Sequence, residues 1–157
     1  MDDWERYSVD SVTFGSWRIV VNREATEHAY TTILEAGPEE CGCAYCRNFV
    51  AARAHAYPPE ATDLFTRLGI DPCYEAEVVD YHIVTPDSNH RLIGGWFHFV
   101  GTVEEGPDGT YEPLVAGFEI GFTRHAGVVE HAFAGQQIAQ IEFLTRIPWV
   151  LDEPTPD

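Results

Sequence analysis

The chain has 157 residues, 45% of them hydrophobic, so it is long enough and apolar enough to bury a substantial core. It carries 26 acidic and 9 basic residues for a formal net charge of −17, and every basic residue is an arginine. Such a surface repels phosphate backbones and anionic lipids, which argues against general nucleic-acid or membrane binding and suits either solubility or a basic protein partner.

The sequence predicts one cytoplasmic domain. No stretch approaches the roughly 20 apolar residues of a membrane span, and Met1-Asp2-Asp3-Trp4-Glu5 lacks the apolar segment of a secretory signal. We expect a single domain over residues 1–157, with frayed ends at 1–10 and 152–157.

The N-terminal part is predicted to begin with strands. Residues 12–21 and 29–34 are rich in β-branched and aromatic side chains, which favours a strand in each. Residues 22–27 between them are polar and predict a connecting loop, and Gly37-Pro38 is expected to end the second strand.

The middle of the chain predicts two helices. From Tyr45 to His55 the apolar residues recur with a helical period, and Pro58 ends that pattern. Pro59 suits the first position of a second helix over 60–68, which Gly69 is expected to cap.

The C-terminal half predicts strands again, over 75–84, 91–103, 114–122 and 138–147. Turn-forming residues at 105–110 predict that the second and third of these strands form an antiparallel hairpin. The order of strands, two helices and strands predicts an α+β fold, namely an antiparallel sheet of about five or six strands with a two-helix hairpin packed against it.

Four cysteines, at positions 41, 43, 46 and 73, are the most informative chemical feature. A secreted disulfide framework would distribute its cysteines to close loops along the chain. Three of these four instead fall within six residues, which favours a metal site or a redox motif in a reducing compartment.

The cysteine spacing predicts a zinc site. Cys43 and Cys46 are three residues apart where the first helix begins, so they share a helical face. Gly42 gives the backbone the freedom to fold Cys41 back towards them, and the helix hairpin can return Cys73 to the same place. We therefore predict that Cys41, Cys43, Cys46 and Cys73 bind one Zn²⁺.

Other interpretations of the cysteines stay open. Cys43 and Cys46 at a helix N-terminus also have the position of a redox pair, where the helix dipole lowers a thiol pKa. The thiols can equally be small buried apolar groups. Among the scattered histidines, His98 lies in an aromatic strand, where a hydrogen-bonded core histidine is a more frequent occurrence than a metal ligand.

Three segments carry a resemblance. Residues 41–49 (CGCAYCRNF), 68–72 (LGIDP) and 96–101 (WFHFVG) resemble a family of uncharacterised bacterial proteins with a CxCxxC-x-N-F segment, an LGIDP turn and a YHFVG-like strand. The likeness covers most of residues 30–151 and implies no activity. Where the family has a variable residue followed by Lys, this chain has Cys73 and Tyr74. That departure makes His98 the alternative fourth ligand.

Three functions are compatible with these features. The first is an acidic, non-enzymatic binding protein with a structural zinc site formed by the cysteine cluster. The second is a redox or metal-assisted enzyme of thiol chemistry that uses Cys43 or Cys46. The third is an acidic immunity or inhibitor protein that binds a basic partner and has no chemistry of its own.

Overall fold

The computed structural model of the protein describes residues 9–86, 89–126 and 129–156. These residues form one seven-stranded antiparallel sheet and four α-helices, which confirms the α+β class. The strands are β1 (Asp10–Phe14), β2 (Trp17–Val21), β3 (Glu77–Val84), β4 (His90–Glu105), β5 (Glu112–Val115), β6 (Phe118–Thr123) and β7 (Ile138–Pro148). The helices are α1 (Arg23–Thr31), α2 (Gly37–Cys41), α3 (Ala44–Ala52) and α4 (Pro59–Leu68).

The long strand β4 organises the sheet, whose order is β1-β2-β4-β7-β6-β5, with β3 also paired to β4. The N-terminal half of β4 pairs with β3, its C-terminal end pairs with β2, and β7 runs along its other edge from His90 to Val100. Every pairing is antiparallel.

Two predicted strands prove to be hairpins. The prediction of one strand over 12–21 is wrong, because Gly15 adopts a φ of +50° and a two-residue turn pairs β1 with β2. The prediction of one strand over 114–122 is wrong for the same reason, since Gly117 adopts a φ of +82° between β5 and β6. Such turns need positive φ, which glycine adopts without steric cost.

The predicted neighbour of β4 is also wrong. The turn at 105–110 was expected to join β4 to the next strand as a hairpin, whereas β7 lies between β4 and β6. A turn-rich segment shows that the chain reverses, but the strand that then pairs is chosen by the packing of the whole sheet.

Helix α1 replaces a predicted loop and strand. The Asn22 side chain caps it by accepting a hydrogen bond from the Ala25 amide at 2.9 Å. Thr26, Ala29 and Tyr30 then form its buried face. The strand prediction over 29–34 is wrong because local β propensity yields to this cap and to burial of that face, and Leu34 is left 97% exposed.

The two central helices agree with prediction. Helix α3 covers most of the predicted 45–55 segment and ends in a 3-10 turn at Arg53–His55. Helix α4 begins at Pro59 and is capped by Gly69 at a φ of +80°. The short helix α2, which precedes them, was not predicted, and Gly37-Pro38 begins this helix instead of ending a strand.

The core lies between the helices and one face of the sheet. Phe65 of α4 contacts Phe97 of β4, with ring centroids 4.9 Å apart. Tyr57, between α3 and α4, lies at the centre of this core. Its ring contacts those of five phenylalanines: Phe49, Phe65, Phe97, Phe118 and Phe143. This packing fixes α3, which carries Cys46, relative to the sheet.

Candidate metal centre

The three clustered cysteines lie at the corner where α2 passes into α3. Cys41 is the last residue of α2, and Gly42 ends that helix with a φ of +65°. Cys43 is extended and is the N-cap of α3, where its Sγ accepts a hydrogen bond from the Cys46 amide at 3.4 Å. One helix end and one helix start thus turn the three thiols towards a common point, and we call Cys41, Cys43 and Cys46 the cysteine corner.

The sulfur atoms of the cysteine corner lie within 4.8 Å of one another, so they can hold a metal ion. Zn–S bonds of about 2.3 Å in a tetrahedral site separate sulfur atoms by about 3.8 Å. Small side-chain rotations therefore close the site. Cys41 and Cys43 are exposed, whereas Cys46 is buried at 6% exposure, so one side of the site remains open to solvent.

The thiols of the cysteine corner differ in acidity. Burial tends to raise the pKa of Cys43, but hydrogen bonds from the Cys46 amide and from the Cys41 and Cys46 thiols outweigh it and lower the pKa. Burial raises the pKa of Cys46 far above the ordinary thiol range, and hydrogen bonds to Cys41 and Cys43 add to the shift. Cys43 is therefore the thiol of this pair that deprotonates first.

The first turns of helix α3, next to the cysteines, are held by hydrogen bonds and an ion pair to residues 148–156. Asn48, 1% exposed, donates to the Pro148 carbonyl at 3.1 Å and accepts from the Val150 amide at 2.7 Å. Arg47 forms an ion pair with Glu153, and the Tyr45 hydroxyl donates to the Pro156 carbonyl. The segment after β7 thus holds the first turn of α3, where Cys46 sits.

Cys73 is not a member of the group formed by the other three cysteines. It is exposed in the turn after α4, and its amide donates to Asp71 Oδ1 at 3.0 Å. Burial and the negative charge of Asp71 raise the pKa of its thiol. Its assignment as the fourth ligand stays a prediction.

His98, the alternative fourth ligand, is fully buried and has partners on both ring nitrogens. Nδ1 lies 3.0 Å from Glu130 Oε1, and Nε2 lies 3.0 Å from Gln140 Oε1. Its ring also packs edge-on against Phe133. These contacts support the interpretation of His98 as a hydrogen-bonded core histidine.

A second polar cluster was not predicted. Glu75, 0% exposed, accepts two hydrogen bonds from Arg53 at 2.7 and 3.1 Å and a third from the Tyr57 hydroxyl at 2.7 Å. Arg53 also pairs with Glu39 of α2 at 2.8 Å. We call these four residues the Arg53 cluster. No spacing in the sequence points to it, because Arg53 and Glu75 are joined only by the return of the chain after α4.

The Arg53 cluster lies between Cys73 and the cysteine corner, because Arg53 pairs with Glu39 of α2 and its charge also acts on Cys73. Glu39 lies two residues before Cys41, and the Arg53 and Glu75 charges act on the Cys73 thiol. Burial raises the pKa of Glu75, although the bonds from Arg53 and Tyr57 oppose this effect. The cluster therefore fixes the position of α2, which ends at Cys41.

Among the described residues, no helix combines the length and the apolar character that a membrane crossing requires. Compared with protein-family models, curated proteins and solved structures, the chain shows no match.

Proposed function

We propose that the protein binds one Zn²⁺ at the cysteine corner and acts, without catalysis of its own, by binding a basic protein partner through its acidic surface. The observation that carries the proposal is the approach of three thiol sulfurs to within 4.8 Å of one another. Thiolates are preferred ligands of zinc, and three of them supply most of a tetrahedral shell.

The fourth position of the zinc shell is assigned to Cys73. Its thiol is exposed in the turn after α4, and the charge of Arg53 opposes the rise in its pKa that burial causes. The same Arg53 forms an ion pair with Glu39, which lies two residues before Cys41. Cys73 does not lie with the other three sulfurs, so this assignment requires the exposed turn after α4 to bring its thiol to the cysteine corner. Closing the shell in this way makes the metal a structural link between α2, α3 and the turn after α4.

The charge distribution supports a basic partner. Among the residues that the structure describes, six of the eight arginines are already paired with carboxylates of the chain itself: Arg18, Arg23, Arg47, Arg53, Arg91 and Arg124. The excess of acidic residues therefore remains to attract cations and basic surfaces. The same pairing leaves few guanidinium groups for phosphates, which supports the expectation of no nucleic-acid binding.

Elemental analysis and metal titration test the zinc site. Protein purified without added metal and then titrated with Zn²⁺ is expected to bind one equivalent. Cys43→Ser is expected to abolish tight binding, and Cys73→Ser is expected to weaken it. His98→Ala is the matched control and is expected to leave binding unchanged. Wild-type protein that binds no zinc and shows four freely reactive thiols would overturn the proposal.

Thiol redox chemistry is the second candidate function, and one observation favours it. In the Cys43–Cys46 pair the exposed thiol has the lowered pKa and the buried thiol the raised one, which is the arrangement of an attacking and a resolving cysteine. Metal-free protein with a fast-reacting Cys43 would favour this candidate, whereas a stoichiometric, slowly exchanging zinc ion would favour the first.

A further inference from the structure

The geometry of the cysteine corner points to control by oxidation. We propose that a neutral peroxide converts Cys43 and Cys46 into a disulfide and thereby expels the bound zinc, and that a thiol reductant restores the site. The inference rests on the proposed zinc binding and adds a modification and its chemical class.

The pairing of Cys43 with Cys46 follows from their positions on α3. Cys43 is the N-cap, Cys46 is three residues later in the first turn, and the Cys46 amide already donates to Cys43 Sγ at 3.4 Å. Their sulfurs lie within 4.8 Å, so a disulfide of about 2.05 Å requires only side-chain movement and a small adjustment of the first turn. Cys41, on the far side of Gly42, belongs to another helix and is held by α2.

Exposure decides which sulfur reacts first. Of the two thiols that form the disulfide, Cys43 is exposed and Cys46 is buried, so an oxidant from solvent meets Cys43 first. The Cys43 thiolate attacks one peroxide oxygen, the O–O bond breaks, hydroxide leaves, and Cys43 becomes a sulfenic acid. The Cys46 thiolate, released from zinc, then attacks the Cys43 sulfur, the S–O bond breaks, hydroxide leaves, and the disulfide forms. Two zinc-bound thiolates and one hydrogen peroxide thus yield one disulfide, two hydroxide ions and a released zinc ion.

Disulfide formation removes two of the zinc ligands. A disulfide sulfur carries no negative charge and is a poor ligand for a divalent cation, so at most Cys41 and Cys73 remain as thiolates. Reduction proceeds in the opposite sense, because the exposed Cys43 sulfur is the one that an external thiolate can attack. The site therefore alternates between a zinc-bound reduced form and a metal-free oxidised form.

The charge of the protein selects a neutral oxidant. The formal net charge is −17, and Glu39 and Glu40 directly precede Cys41. Anionic oxidants such as glutathione disulfide are repelled by this field, whereas hydrogen peroxide is not. We therefore expect a rate for peroxide that hardly depends on salt and a rate for glutathione disulfide that rises with ionic strength.

The experiment uses the full chain loaded with zinc. Hydrogen peroxide is added, the released metal is followed with a chromophoric zinc indicator, and disulfides are mapped by mass spectrometry after alkylation. We expect stoichiometric zinc release, a Cys43–Cys46 disulfide, two thiols remaining, and rebinding of zinc after dithiothreitol. Cys46→Ser is expected to lose the disulfide, and Cys73→Ser, the matched control, is expected to keep it.

The outcomes separate the two proposals. A protein that binds zinc and retains it in peroxide, or that releases it without a Cys43–Cys46 disulfide, overturns the inference and leaves zinc binding intact. A protein that binds no zinc overturns both, whether or not the disulfide forms. Equal salt dependence for peroxide and glutathione disulfide would overturn the selection of a neutral oxidant.

Discussion

The cysteine corner and the Arg53 cluster each gather several polar side chains around the same helices, yet they are built in opposite ways. Cys41 and Cys43 face solvent and have few partners beyond their own loop. Glu75 is 0% exposed, and its carboxylate accepts three hydrogen bonds from Arg53 and Tyr57. Removing one partner of a buried, hydrogen-bonded carboxylate is costly for the fold, whereas open thiols remain available for a ligand.

The largest effect is expected from removing Arg53, which pairs with the buried carboxylate of Glu75. Arg53→Met keeps an apolar stem but leaves Glu75 buried without its counter-charge, which costs about 3–5 kcal/mol of unfolding free energy. Urea denaturation at neutral pH measures this loss. A loss below about 1 kcal/mol would show that the pair behaves like an exposed ion pair and would remove the contrast between the two sites.

The pH dependence of the same variant sharpens the comparison. Burial raises the pKa of Glu75, so the folded chain holds this proton more tightly than the unfolded chain, and Glu75 makes stability fall as pH rises between the two pKa values. Removing Arg53 raises the folded pKa further, because Arg53 favours the ionised carboxylate. The stability difference between wild type and Arg53→Met is therefore fully present above the folded-state pKa of Glu75 in the variant. It shrinks as the pH falls through that value, because protonation removes the buried charge. Denaturation curves across the acidic range test this expectation, which a constant difference would contradict.

The open site is expected to contribute stability only when metal is present. A free zinc concentration of about 100 times the dissociation constant stabilises the folded state by about 2.7 kcal/mol. Thermal unfolding with zinc and with a chelator measures the shift, and Cys43→Ser is the control that should not respond. Lowering the pH should reduce the shift, because the thiols must lose protons to bind zinc. An equal response of the Cys43→Ser variant would show that zinc acts elsewhere.

Replacing His98 distinguishes its role in a buried hydrogen-bond network from a role as a zinc ligand. His98→Ala leaves Glu130 and Gln140 without the imidazole partner and should cost about 1–3 kcal/mol of stability. Zinc binding should not change, and Cys73→Ser should show the reverse pattern. Thermal denaturation and zinc titration of both variants provide the check. Loss of zinc in His98→Ala alone would make His98 the fourth ligand.

The smallest effect is expected at the surface of α3. Arg47 and Glu153 are about half exposed, so Arg47→Met should change stability by less than about 1 kcal/mol, and less at high salt. This variant is the matched control for Arg53→Met, since both remove an arginine and its ion pair near the same helix. A large loss would show that the attachment of α3 to the segment after β7 depends on this ion pair.

The errors in the predicted fold have a common origin. Glycines 15 and 117 lie inside apolar stretches with uniform β propensity, and only their positive φ values turn each stretch into two strands. Residues 29–31 likewise have strand-like composition but lie in a helix, because the Asn22 cap and the buried Thr26, Ala29 and Tyr30 stabilise α1. In each case a tertiary or backbone requirement exceeds a weak local preference.

What the sequence determined by itself depends on residues close together in the chain. Pro59 and Gly69 bound α4, and the spacing of Cys41, Cys43 and Cys46 brings their sulfurs within 4.8 Å of one another. The tertiary structure alone decided that β7 pairs with β4, and that Arg53 meets Glu75. Those contacts join residues 22 or more positions apart, and the entropy of closing such loops is recovered only when the assembled core buries both partners.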